Sequence, residues 1–344
     1  MSATDVYRNS TLPHQSAAAD NTGARWGPRL AKSAQGWGTG LVVYHVRYSM
    51  GIYVEILIRG AMDDLWQKTQ DPGIHQRWDL RFSQIEYLPR ALEEPQKFRY
   101  TTRIAAGLRI EGAGESTGER DELGQRTSAL KFWSADPKSL IETGSGYWKY
   151  IPTENGIVFL TWYDYLTRFG AVGRIVDRIC FRPLLGWATA WSFDRLRLWI
   201  EEGIAPEFSR ACGLAYAVSR LTLAFVWMYQ GVVPKLIFRS PDELRMLSDA
   251  RIPSAYLPAI GVGEFSFGVL MVLLWRQRWP LWFTIAAMVA AFAGVALRSS
   301  TFLASAFNPV TLNLTVGILA VVGLLLGRYI PTATRCRRKP RGNV

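Results

Sequence analysis

The run "WMYQGVVPKLIFRSPDEL", Trp227 to Leu244, begins as apolar as a buried core helix and then sets Pro234 and Lys235 side by side inside the apolar stretch. Its first part belongs to a longer apolar segment, 214–238, which meets the roughly 20-residue requirement for crossing a bilayer. Three more such segments follow, at 255–275, 280–297 and 310–327. The links "RQRW" and "RSSTFLASAFNP" are short, so neighbouring segments run antiparallel and the expectation is an all-α four-helix transmembrane bundle. The first link, "FRSPDELRMLSDARIPS", opens with a helix-entry signal and spaces Leu244 and Leu247 three apart, which predicts a short amphipathic helix at the interface.

Working outward, the 344-residue chain divides by composition: charges are evenly interleaved up to Gly203 and sparse from Leu214 to Gly327. The formal charge of +12 raises the question of nucleic acid. No zinc-finger spacing, RNP-like strand or isolated basic helix accompanies it, so no nucleic-acid partner is expected. Much of the excess lies in "RCRRKPRG", directly after an apolar run, and reads as a topology signal or a contact with lipid headgroups. Cys180, Cys212 and Cys336 are too scattered for a metal knuckle or a redox pair, so neither metal nor disulfide is expected. Residues 1–40 hold no continuous apolar core of a signal peptide and read as a flexible N-terminal arm.

Lysine and arginine placement sets orientation. Arg276, Arg278 and the tail cations lie on one side, with Lys235, Arg239, Arg245, Arg251 and Arg298 on the other. The balance favours both termini inside, with the soluble half cytoplasmic at a bacterial inner membrane.

Lys235 falls within a turn or two of the end of the first span, where its stem can snorkel to the headgroups and Pro234 bends the last turn. Glu264 is different, because a carboxylate near the middle of the second span is costly and is a functional candidate by default. Threading the spans as antiparallel rods gathers Gln230, Lys235, Glu264, Arg298, Asn308 and Asn313 into one polar cluster. The plainer alternative pairs Glu264 with Arg220 or Lys235 to fix helix register.

The elements "LTLAFVWMYQGVVPKLIF", "PDELRML", "GVGEFSFGVL" and "AFNPVTLN", in that order, resemble the DoxX-like family of small four-span bacterial membrane proteins. The resemblance covers Leu214 to Leu326. It implies a membrane bundle and leaves a quinone open as a ligand.

In the other half, periodicity shifts towards two from Val42 onward. "VYHVRYSMGIYVEILIRG" gives a first strand, and "AMDDLWQKTQDPGIHQRW" gives two short helices broken at Asp71-Pro72-Gly73. Six further alternating segments follow, the last two joined by "TENG" as a hairpin. The segment "RFGAVGRIVDRICFRPLLGWATAWSFDRLRLWIEEG" reads as helix with a break at Pro183, carrying Trp187, Trp191 and Leu198 on one face and Leu185, Phe193, Leu196 and Ile200 on another.

Strand, two small helices, antiparallel strands and a long final helix, with "WQKTQDPGIHQRWDLRFSQIEYLP" leading into the second strand, resemble the START/polyketide-cyclase-like (SRPBCC, helix-grip) superfamily. The resemblance implies an α+β helix-grip domain whose curved sheet and long helix enclose a cavity for a hydrophobic small molecule. Its lining candidates are Phe82, Tyr100, Ile110, Phe132, Trp148, Phe159 and Trp191. The resulting division is 1–40 arm, 41–205 helix-grip domain, 206–334 DoxX-like domain and 335–344 basic tail.

His14, His45 and His75 are the only histidines. His75 and Asp79 stand four apart, a spacing that suits acid/base work, but the reading adopted is a helix-end or surface role. No nucleophile elbow, HExxH or Walker loop is present, and "GAGESTG" lacks a strand-then-helix context. No residue set nominates an enzyme. The expected function is binding, sensing or transfer of a lipid, isoprenoid or quinone, with membrane lipids as partners and homo-oligomerisation through the bundle left open. The rivals are a quinone-coupled oxidoreductase component and a membrane-anchored interaction module.

Overall fold

The computed structural model describes residues 51–340 apart from 92–93, 105–106, 123 and 307. The expected flexible arm, His14, His45 and the start of the first strand lie outside the described residues.

Among the described residues, seven strands form one antiparallel sheet in the order β1-β7-β6-β5-β4-β3-β2. They are β1 (Ile52–Ile58), β2 (Gln84–Tyr87), β3 (Lys97–Arg103), β4 (Arg109–Glu122), β5 (Gln125–Trp133), β6 (Ile141–Thr153) and β7 (Gly156–Thr167). Alternation decides which face is buried: Ile52, Val54, Ile56 and Ile58 point inward from β1, and Ile157, Phe159, Thr161, Tyr163 and Tyr165 from β7. β6 and β7 close as the hairpin expected at "TENG", with Thr153 opposite Gly156.

Helices α1 (Met62–Gln70) and α2 (Pro72–Trp78) follow β1. Helix α3 (Gly170–Val176), a π-helical turn (Asp177–Phe181) and α4 (Arg182–Glu202) follow β7 as one continuous rod. The break expected at Pro183 is therefore replaced by a widened turn one step earlier, where Arg182 N–H reaches back to Asp177 O. The widened turn accommodates Pro183, which cannot donate to the preceding turn. α4 grips the sheet through Phe193, stacked 4.4 Å from Phe159, and through Thr189, whose hydroxyl lies 2.8 Å from that of Tyr163.

Among the described residues, four helical rods are long and apolar enough to cross a membrane: Pro206–Ile237, Ser254–Leu273, Trp279–Arg298 and Pro309–Leu326. They comprise α5 (Pro206–Gln230) with a π-helical extension (Gly231–Ile237), α7 (Leu257–Leu273), α8 (Trp279–Arg298) and α9 (Pro309–Leu326), while α6 (Pro241–Asp249) sits in the first link. Their shared core contains Leu223, Ala224, Phe267, Met271, Leu281, Val316 and Ala320. Much of the outer surface is apolar and exposed, Leu273 and Leu297 among it, as lipid contact requires.

The two halves join at two places. Gly203, at φ +66°, ends α4 in the left-handed conformation that favours glycine, and Ile204 N–H then bonds to Leu198 O. Two residues later α5 begins at Pro206, whose carbonyl accepts from Arg195 Nε, so the chain doubles back before it enters the bundle. The second junction is the basic tail. Glu55 and Arg337 exchange both backbone hydrogen bonds at the free edge of β1, at 2.9 and 2.8 Å. Asp194 accepts from Thr332 N–H, and Cys336 is buried with its thiol on Ala190 O. The tail thus covers an edge strand that would otherwise be open.

Candidate functional sites

In the sheet half, Asp71 caps α2 by accepting from Ile74 N–H at 2.9 Å, and Pro72 starts the helix. One turn later His75 points inward and not to solvent, which corrects the surface reading. His75 Nε2 lies 3.0 Å from Asp79 Oδ2, and Arg81 grips the same carboxylate through Nε at 2.9 Å and Nη2 at 2.6 Å. Asp79 is only 1% exposed. Its burial opposes ionisation, yet the Arg81 guanidinium and the His75 hydrogen bond hold its carboxyl below the usual range. Burial also pushes the His75 imidazole below its ordinary value against the pull of Asp79. A neutral ring beside a carboxylate must carry its proton on Nε2, which leaves Nδ1 as the acceptor nitrogen.

Aromatic rings surround this polar group. His75 stacks on Trp78 at 4.9 Å and meets Trp148 edge-on at 4.9 Å and Phe82 at 5.4 Å. Phe82 in turn meets Tyr100 at 5.4 Å. Glycine on β4 makes this lining fit: a Cβ at Gly112 would lie 2.2 Å from the Tyr100 ring, so the ring rests directly on backbone. Tyr100 also lines a polar surface groove of about 160 Å³, together with Gln84, Thr101, Glu111 and Gly112. Burial pushes its phenol up to about 12.

Of the proposed cavity residues, Tyr100 lines this groove and Phe82 packs on its ring, Trp148 and Phe159 are core, and Phe132 packs partly buried against that core. Ile110 is half-buried on β4. Trp191 does not belong with them. It lies on the side of α4 away from the sheet, beside Trp187 and under Arg195. The sequence reading missed Arg81, whose charge is hidden by its own neighbour Asp79.

In the membrane half, Lys235 is 7% exposed and does not snorkel. Its Nζ lies 2.9 Å from Glu264 Oε2, 3.0 Å from Glu243 Oε1 and 3.3 Å from Gln230 O. The π-helical turn around Pro234 aims it inward, and α5 approaches α7 so closely that a Cβ at Gly231 would lie 2.4 Å from Gly261 O. Glu264 Oε2 is shielded from solvent and receives no aligned hydrogen bond despite its ion-pair contact. Lys235 and Glu264 therefore come together, joined by Glu243 of α6, which sequence reading did not include, while Gln230 contributes its backbone carbonyl. The other expected members are engaged or placed elsewhere: Asn308 caps α9 through Thr311 N–H, Asn313 is half-buried on α9, and Arg298 is exposed at the end of α8. Arg220 does not pair with Glu264. It is fully buried and donates to the carbonyls of Met271, Leu274 and Gln277 at the end of α7.

Residues 224–321, which hold this ion triad, match the model of the DoxX-like family. Across 290 residues the chain is 38% identical to the uncharacterized membrane protein YndG of Bacillus subtilis (strain 168), covering 84% of this chain and 97% of that one. The chain belongs to the YndG family. The match extends well beyond the DoxX-like region, so the YndG-family architecture joins a sheet-bearing half to a DoxX-like membrane half. Over the N-terminal part, TTHA0849 of Thermus thermophilus is similar at a TM-score of 0.35 and 14% identity, over 44% of this chain and 99% of that one. A STAR-related lipid transfer protein fragment from Xanthomonas axonopodis is similar at 0.34 and 16% identity, over 42% and 82%.

Proposed function

We propose that this protein holds a hydrophobic molecule with a polar end, of the lipid, isoprenoid or quinone class, in its helix-grip half and presents it at a bacterial inner membrane, with that half and both termini cytoplasmic. The carrying observation is the buried His75–Asp79–Arg81 group beneath the aromatic set Phe82, Tyr100 and Trp148. An apolar body would lie against the rings, and its polar end would meet Arg81 and the Nδ1 acceptor of His75. Such a combination, mostly apolar with a few placed polar groups, is what small-molecule sites use. Tethering the site beside the bilayer raises the local concentration of any membrane-derived ligand. The test is photo-crosslinking of full-length protein in native-lipid discs with a diazirine-bearing lipid. Crosslinks on peptides spanning β2 to β4 support the reading, whereas crosslinks confined to α5–α9 overturn it.

A second reading is favoured by the Lys235–Glu243–Glu264 triad, which could bind a quinone headgroup or pass a proton within the bundle. Its test is the quinone reduction state of membranes carrying Glu264→Gln. An unchanged state counts against it.

A further inference from the structure

The segment between β7 and the middle of α4 exposes an apolar stripe that neither proposed site uses. Val172, Ile175, Val176, Ile179, Leu184 and Trp187 are between 42% and 73% exposed. Their counterparts Gly173 and Asp177 are buried and Phe181 half-buried, so α3, the π-helical turn and the start of α4 form one amphipathic rod. Spacings of three and four residues keep Val172, Ile175, Val176 and Ile179 on a single face, and a step of five across the π-helical turn leads on to Leu184 and Trp187. The acidic side chain on this rod does not balance the cations beside the stripe. Asp177 is consumed by the Arg182 guanidinium and the Tyr165 hydroxyl, while Arg174 and Arg178 are exposed. The tail adds another cation, because Arg338 Nη2 donates to Pro183 O and packs beside Gly186.

The direction in which this stripe faces follows from the first junction. On α4, Trp187 and Trp191 pair at 6.4 Å, Arg195 lies over Trp191, and Arg195 donates to Pro206 at the start of α5. One row of residues, on the face opposite the sheet-gripping Thr189 and Phe193, therefore leads from the stripe to the entrance of the first membrane rod. Since the chain doubles back at Gly203, α5 leaves from the outer side of α4 and not from its tip. The first of the four apolar rods thus begins at Pro206 against this outer face of α4.

We propose that the Val172–Trp187 stripe is a membrane-docking surface that lies in the headgroup region of the same bilayer the protein spans, with Arg174, Arg178 and Arg338 against anionic lipid. Apolar residues entering the acyl boundary with arginines at the phosphates is how interfacial amphipathic helices bind, and anionic headgroups strengthen it. α4 is then held between sheet and membrane. The inference goes beyond the ligand reading and holds whether or not the sheet half carries a ligand.

Cys180, exposed on this rod while Cys212 and Cys336 are buried, allows a direct test in the full chain. The protein is labelled at Cys180 with an environment-sensitive fluorophore and placed, one copy per disc, in nanodiscs of phosphatidylcholine with or without phosphatidylglycerol. Quenching by spin-labelled lipid is then read. The expected result is strong quenching in anionic discs, with the docking equilibrium weakened by roughly tenfold or more in Arg174→Gln/Arg178→Gln. Ile175→Glu/Ile179→Glu is expected to abolish the quenching. Because all four positions are exposed, both variants keep the fold, and unchanged melting verifies that. Quenching as weak in wild type as in Ile175→Glu/Ile179→Glu overturns the proposal. So does a label that is shielded only when two copies share a disc, since that assigns the stripe to a second copy of the chain.

Discussion

Asp79 carries the largest consequence of any side chain in the sheet half, because it alone neutralises Arg81 while also holding His75. Asp79→Ala leaves a buried guanidinium without its partner, which costs about 3–5 kcal/mol, and a thermal melt of the detergent-solubilised protein would show the sheet half unfolding early. pH works in one direction on both groups. The folded pKa of His75 is depressed below the ordinary value of about 6.5, so the unfolded chain binds the extra proton first and stability falls as pH drops from about 6.5 towards that lower value. Asp79, also depressed, adds a further loss at still lower pH, below the ordinary carboxylate value. Chemical denaturation at stepped pH should show the first of these slopes vanish in His75→Gln. Sequence alone placed His75 and Asp79 at a paired spacing but misjudged their depth, since a His-x-x-x-Asp step reads the same on an exposed and on an inward helix face. The snorkelling reading of Lys235 failed for a related reason, while the plainer alternative of a Glu264–Lys235 pair is the one the structure shows. The distance of Lys235 from the span end suggests snorkelling, and only the π-helical turn shows that it points inward to Glu264.

At the level of elements, the crossing of α5 and α7 rests on Gly231 and Gly261, whose backbones approach too closely for a side chain. Gly231→Ala should cost about 1–3 kcal/mol through overpacking and should separate Lys235 from Glu264. Melting of the bundle in detergent tests the first effect, and a matching Gly263→Ala, at a position with open space beside it, should be near neutral. The element order was readable from the chain because periodicity and length separate strands from spans without ambiguity: every expected strand after the first lies within or beside an observed one. Two features were not readable. The helix runs through Pro183 because the π-helical turn absorbs it, and Glu243 reaches the triad because α6 folds back on the bundle, which is a tertiary contact with no local signature.

For the whole molecule, the tail is the feature that composition concealed. Its cations suggested a topology signal or contact with lipid, and the structure adds a second role: Arg337 pairs with β1 through its backbone, Cys336 is buried and Thr332 engages Asp194. Ending the chain after Pro331 should raise hydrogen exchange at the Glu55 amide by about tenfold or more, because its acceptor is Arg337 O, while amides in α7 and α9 stay protected. The same strap ties the chain beyond the last span to the helix that precedes the first, so the sheet half is held at both ends against the bundle. That arrangement suits a domain that exchanges a poorly soluble molecule with the membrane beneath it. The most direct measurement of this is native mass spectrometry of the full-length protein released from native-lipid discs, compared with Phe82→Asp and Glu264→Gln. The expected result is a discrete added mass of lipid, isoprenoid or quinone that is lost in Phe82→Asp and kept in Glu264→Gln. An added mass kept in Phe82→Asp and lost in Glu264→Gln, or none on the wild-type protein, would contradict it.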